Sequence, residues 1–160
     1  MSNLQMVQTP DQGQFGEVHG SQPGFITRPE EMALLVKAAD SILVVDDNHG
    51  SRRLCTICLE EQFHLNGKQV YTANGPDSAM IILRGMTGNV LVLTDMRMNE
   101  QNDAGLHFLM QIDEGIPREQ AVIQPIAMST VFSRDILSGL QRMNIPRLLK
   151  PTMDRWMGFR

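Results

Sequence analysis

Tyrosine and tryptophan occur once each in the 160 residues, and aromatic residues make up only 5% of them. A core must therefore be built mainly from aliphatic side chains and from some of the twelve methionines, whose flexible thioethers fill irregular gaps. Cysteine is nearly as scarce: Cys55 and Cys58 are the only two, spaced C-T-I-C in a stretch that reads as a helix. A structural zinc needs two further ligands, and no nearby Cys or His supplies them. The expectation is a pair of reduced thiols, at least one buried, in a cytoplasmic protein. No run approaches the ~18 apolar residues of a membrane span, and the N-terminus MSNLQMVQTPDQGQFGEVHGSQ lacks the basic-then-apolar pattern of a secretory leader. Basic clusters are absent too. With 14 Lys and Arg against 18 Asp and Glu the net charge is −4, which argues against direct nucleic-acid binding by this segment.

What is present, 42% hydrophobic and 20% charged residues, fits one soluble globular domain large enough to bury a sizeable core. Residues 1–26 are rich in Gln, Gly, Ser and Pro and poor in large apolar groups, which predicts a flexible arm. A Thr27 N-cap, Pro29 and Glu30 form a capping-box signature, so a helix is expected within 27–40, with Met32, Leu35 and Val36 on one face. From residue 41 to 160 strand and helix patterns alternate. Apolar runs at Ile42 to Val45, Val90 to Leu93, Ala121 to Met128 and Ile145 to Leu149, with a weaker one at Gln69 to Ala73, read as strands. Helices are expected over Ser51 to Leu65, Ser78 to Met86, Gly105 to Ile112 and Ser133 to Met143. Strand-helix units with short connections take right-handed crossovers and build a parallel sheet covered on both faces, so the fold class is α/β.

Ligands of such sheets sit beyond the carboxyl ends of the strands. Those ends carry Asp46 and Asp47, Asp95, Ser129 and Thr130, and Lys150. Carboxylates brought together repel one another unless a cation neutralises them, and a hard ion such as Mg²⁺ suits oxygen donors. A carboxylate beside a metal and a lysine is also a competent nucleophile toward phosphorus. The constellation is suited to phosphoryl transfer.

At these positions the chain resembles the receiver domains of two-component response regulators. The match runs from about Ser41 to Pro151 through ILVVDDN, VLVLTDMRM, IAMST and LLKP. The resemblance implies a flavodoxin-like, five-stranded sheet of order 2-1-3-4-5, here with an extra N-terminal helix and a short last helix. It also implies Mg²⁺ held by Asp46, Asp47, Asp95 and the carbonyl of Arg97, and phosphorylation of Asp95 by a sensor histidine kinase or phosphotransfer protein. Lys150 would pair with a phosphoryl oxygen. Ser129 would be the switch hydroxyl, or Thr130 if the register shifts by one. Such a chain is a signalling switch rather than an enzyme with substrate turnover, with an output domain, a downstream protein or a second copy of itself as reader.

Departures from the family pattern point to a second reading, a receiver-like interaction module independent of phosphorylation. Met98 is followed by Asn99 rather than Pro, and the expected Gly arrives late, as Asp103-Ala104-Gly105. Arg147 stands where the family usually has Tyr or Phe, which removes the aromatic switch. Few residues follow Pro151. Either the last helix is truncated, or the helix near residues 29–39 takes over part of its role. His49, after the acidic pair, is expected to be a solvated loop residue.

Overall fold

The computed structural model describes residues 24–158. They form α1 (Pro29–Ala38), β1 (Ser41–Val45), α2 (His49–Gln62), β2 (Val70–Ala73), α3 (Pro76–Arg84), β3 (Gly88–Asp95), α4 (Ala104–Gly115), β4 (Ala121–Ser129), α5 (Arg134–Arg142), β5 (Arg147–Leu149) and α6 (Lys150–Trp156). The five strands make one sheet in the order β2-β1-β3-β4-β5, and every neighbouring pair is parallel. This is the α/β architecture and strand order expected above.

The strands read as unbroken apolar runs because both faces are covered. Side chains alternate between faces with a period of two. Leu43, Val45, Val90, Val92 and Ala127 enter one core with Leu83 of α3, Phe108 of α4 and Leu140 of α5. Ile42, Val44, Leu91, Leu93, Ile126 and Met128 enter the other, with Met32 and Val36 of α1, Cys58 and Leu59 of α2 and Met153 of α6. Helix α1 thus covers the same face as the short α6. Trp156 closes that core from the side, its ring edge-on to Phe63 at 6.1 Å.

Two expectations shift in detail. The helix N-cap is Arg28, not Thr27, and the reciprocal carboxylate is Glu31, not Glu30. Glu31 Oε1 accepts from the amides of Thr27 (2.9 Å) and Arg28 (3.0 Å). Pro29 explains the shift, because the residue before a proline is driven to extended backbone and so becomes the last non-helical one. Of the arm expected over residues 1–26, residues 1–23 lie outside the described residues, while Gly24 to Ile26 are docked on β5. The Arg147 amide donates to the Gly24 carbonyl at 2.7 Å and the Ile26 amide to the Arg147 carbonyl at 2.8 Å. Phe25 and Ile26 are buried. Composition averaged over the stretch hid the two apolar residues at its end.

The C-terminus of α1 is held by Lys68, whose Nζ donates to the carbonyls of Val36 (2.7 Å) and Lys37 (3.0 Å). Lysine there complements the helix dipole and satisfies otherwise unpaired carbonyls. Since Met32 is fully buried between α1 and the sheet, Met32→Ala is expected to lower unfolding stability by about 2–4 kcal/mol in denaturant titration. A loss below ~1 kcal/mol would show that α1 is peripheral to the fold.

Candidate functional site

Parallel strands that all end on one edge of the sheet deliver their last residues to one place. An open cleft of about 740 Å³ on that edge is lined by Asp46, Asp47, Asp95, Arg97, Ser129 and Lys150, with Thr130 beside them. Every site residue expected from the sequence is therefore brought together.

Asp46 follows β1 directly and is almost wholly buried. Its carboxylate is fully engaged: Oδ1 accepts from the Asn48 amide at 2.9 Å, and Oδ2 accepts from Ser51 Oγ at 2.7 Å and from Lys150 Nζ at 2.9 Å. Arg52 Nη1 donates to the Asp46 carbonyl at 2.6 Å. Lys150, delivered by β5, also reaches Asp95 Oδ1 at 3.1 Å and Ser51 Oγ at 2.9 Å. An ammonium has three hydrogens, and all three have an acceptor here. Asp95, the last residue of β3, is buried; Asp47 is exposed at the mouth.

Carboxylate oxygens of Asp46, Asp47 and Asp95 lie within 4.8 Å of one another. One ammonium facing three carboxylates leaves an excess of negative charge. The cost falls on Asp95, whose pKa is pushed up to about 6 by burial first, with the charges of Asp46 and Asp47 adding and Lys150 opposing. Burial pulls the pKa of Lys150 down, but its hydrogen bond to Asp46 and the charges of Asp95 and Asp46 more than reverse this, so the net shift is upward. The donor set is all oxygen and anionic, which fits a hard divalent cation.

The departures noted after Asp95 have a structural reason. Met98 and Gln101 bridge antiparallel through hydrogen bonds of 3.1 and 2.9 Å, with Asn99 (φ 53°) and Glu100 (φ 64°) between them. Positive φ at both central residues is the signature of a type I′ turn, and asparagine tolerates that region well. The turn points the Asn99 amide at Asp47 Oδ2, 2.8 Å away. Gly105 then starts α4 against the strand end. Its amide donates to the Met96 carbonyl at 2.8 Å, and a Cβ at this position would collide with the Asp95 carbonyl oxygen. The late glycine thus lets a helix begin directly over the Asp95 backbone.

Ser129 is buried and its hydroxyl donates to the Val131 carbonyl; Thr130 is exposed. Ser51 was missed by sequence reasoning. Its only signal was a hydroxyl in the first turn of the helix after the acidic pair, where Asn48 caps the helix by accepting from the Ser51 amide at 2.8 Å. His49 is exposed and faces Arg52 at 3.4 Å. Cys55 and Cys58 are both buried, and burial raises both thiols, Cys58 to about 11, so neither is a ready thiolate.

No protein-family model matches the sequence, and no curated protein matches it. Solved structures do. A response regulator receiver protein from Pseudomonas putida is 24% identical with a TM-score of 0.56, over 71% of this chain and 88% of that one. The isolated REC domain of RcsB from Salmonella enterica serovar Typhimurium, solved in the presence of the phosphomimetic BeF₃⁻, is 15% identical with a TM-score of 0.53, over 75% of this chain and 84% of that one. The receiver domain of the histidine kinase CKI1 from Arabidopsis thaliana, complexed with Mg²⁺ and BeF₃⁻, is 16% identical with a TM-score of 0.52, over 77% and 89%. The chain has the fold of response-regulator receiver domains.

The raised pKa of Asp95 fixes a pH dependence. Its folded pKa lies above the unfolded value of 3.8, so the folded state binds the proton more tightly and stability falls as pH rises between about 4 and 6. Without metal, Asp95→Asn should raise the melting temperature near pH 7.5 by a few degrees, roughly what 1 kcal/mol gives for a domain of this size. The gap should close below about pH 4. An equal gain at both pH values would contradict a charge-based cost at Asp95.

Proposed function

We propose that the chain is a phosphoacceptor receiver in which Asp95 takes a phosphoryl group from a phosphohistidine of a sensor histidine kinase or phosphotransfer protein. The observation that carries this reading is the meeting of Asp46, Asp47, Asp95 and Lys150 on one sheet edge, in a receiver fold. In the transfer an Asp95 carboxylate oxygen forms the new P–O bond while the P–N bond to the donor imidazole breaks, and the imidazole nitrogen keeps the electron pair.

Each residue then has a task. Asp46, Asp47, Asp95 and the Arg97 carbonyl would hold Mg²⁺, which when bound neutralises charge on the phosphoryl oxygens. Lys150, already beside Asp95 Oδ1, balances a further oxygen of the transferring group. Ser51 and Asn48 fix the Asp46 carboxylate so that it does not follow the charge as it moves. Ser129 lines the same cleft and offers the hydroxyl that would bind the transferred group, with Thr130 the neighbouring candidate. The changed charge at Asp95 is then read by an output domain, a downstream protein or a second copy. A role as signalling switch in the cytoplasm, rather than a catalyst of substrate turnover, agrees with the fold. No helix of the described residues is long and apolar enough to cross a membrane.

Intact mass after incubation with acetyl phosphate and Mg²⁺ tests the reading. One phosphoryl group, about 80 Da, should add to the native chain, and neither to Asp95→Asn nor to a chelator-treated control. Absence of the adduct in the native chain would favour the module that works without phosphorylation.

A further inference from the structure

The segment Gly24 to Ile26 occupies the outer edge of the last strand. Phe25 bridges to Arg147 in parallel, and both flanking amide bonds are short. The Phe25 ring is held on two further sides. It meets the Phe132 ring edge-on at 5.8 Å, and the Arg147 guanidinium carbon lies 5.2 Å from its centroid. Gly24 has φ +85°, and a Cβ there would collide with that guanidinium. So the aromatic group missing from position 147 of the strand is supplied by the chain segment in front of α1, and the buried Arg147 is clamped beneath it.

This strap is joined to the acidic cleft at both of its anchors. Arg147 shares three-residue β5 with the lead-in to Lys150, whose ammonium bridges Asp46 and Asp95. Phe132 belongs to the loop after β4, whose conformation is fixed by Ser129: its hydroxyl donates to the Val131 carbonyl and accepts from the Val131 amide at 3.3 Å. A hydroxyl carries one proton. If Ser129 donates it to a phosphoryl oxygen on Asp95, it cannot also donate it to Val131, and the turn that presents Phe132 to Phe25 loses its tie.

We infer that Gly24 to Ile26 is a regulated strap: docked on β5 while Asp95 is unmodified, and loosened when the site takes up a phosphoryl group. The inference rests on the phosphoacceptor reading of the site and adds to it a moving part of this chain. Linkage makes the coupling reciprocal, so a chain whose strap is already detached binds the phosphoryl mimic more tightly.

The test uses the full chain with Mg²⁺ and beryllofluoride, ¹⁹F resonances reporting binding and amide hydrogen exchange reporting the strap. With bound beryllofluoride, the amides of Ile26 and Arg147 should exchange about tenfold faster or more, as for a segment whose local opening has become easy. Gly24→Ala and, separately, Phe25→Ala should raise beryllofluoride affinity at least about fivefold, the low end of ordinary coupling. Bound beryllofluoride with unchanged exchange at both amides, or unchanged affinity in both variants, overturns the strap while leaving the site intact. No bound resonance in the native chain overturns the reading of the site, and the strap's coupling with it.

Discussion

Asp46 and Asp95 share one ammonium, and the rest of the fold is arranged to make that sharing possible. Lys150 comes from the last strand of the sheet, Asp46 from its second position and Asp95 from its centre, so the three meet only if β1, β3, β4 and β5 are parallel and in register. A shift of one residue in any of these pairings would turn the alternating apolar side chains to the wrong face, as well as withdraw a charge from the cleft. Burial in two separate cores thus fixes the geometry of a polar site that contributes little stability itself. The site is electrostatically unfinished: the carboxylates outnumber the ammonium, and the raised pKa of Asp95 records the deficit.

The covering of the sheet shows how local departures are absorbed. Helix α6 spans only 7 residues, and the face it leaves is shared with α1, whose Met32 and Val36 join Met153 in one core. The loop after Asp95 is longer and more polar than the family pattern, yet it closes into a two-residue turn that aims an amide at Asp47. Arg147 is a cation on a buried strand, with its pKa lowered by burial. It is accommodated by the Ile145 carbonyl at 3.0 Å and by the face of Phe25, which together offset part of its desolvation.

Much of this was legible in the sequence because it depends on periodicity and on strand ends. Unbroken runs such as ILVV and VLVL can only be strands covered twice, and whatever follows them must lie at the ligand edge of a parallel sheet; that logic placed Asp46, Asp47, Asp95 and Lys150 correctly. Contacts made by single residues distant in sequence left no such trace. Phe25 lies in a segment whose composition reads as unstructured, and only its partners Arg147 and Phe132, more than a hundred residues away, give it a place. Ser51 carries no periodic signal, and its role as a bridge between Asp46 and Lys150 appears only when β1 and β5 are brought to the same edge. The position of the α1 cap was lost by one residue because the preference of a threonine competed with the backbone constraint set by Pro29.

The account stands on the claim that three carboxylates and one lysine form a divalent-cation site whose ligands the fold has already gathered. Titration of the isotopically labelled chain with Mg²⁺ alone, followed residue by residue in amide spectra, tests it most directly. Saturable shifts confined to residues around Asp46, Asp95 and Lys150, abolished in Asp47→Asn, are the predicted result. Shifts that do not saturate, or that are spread evenly over the acidic surface, would contradict it.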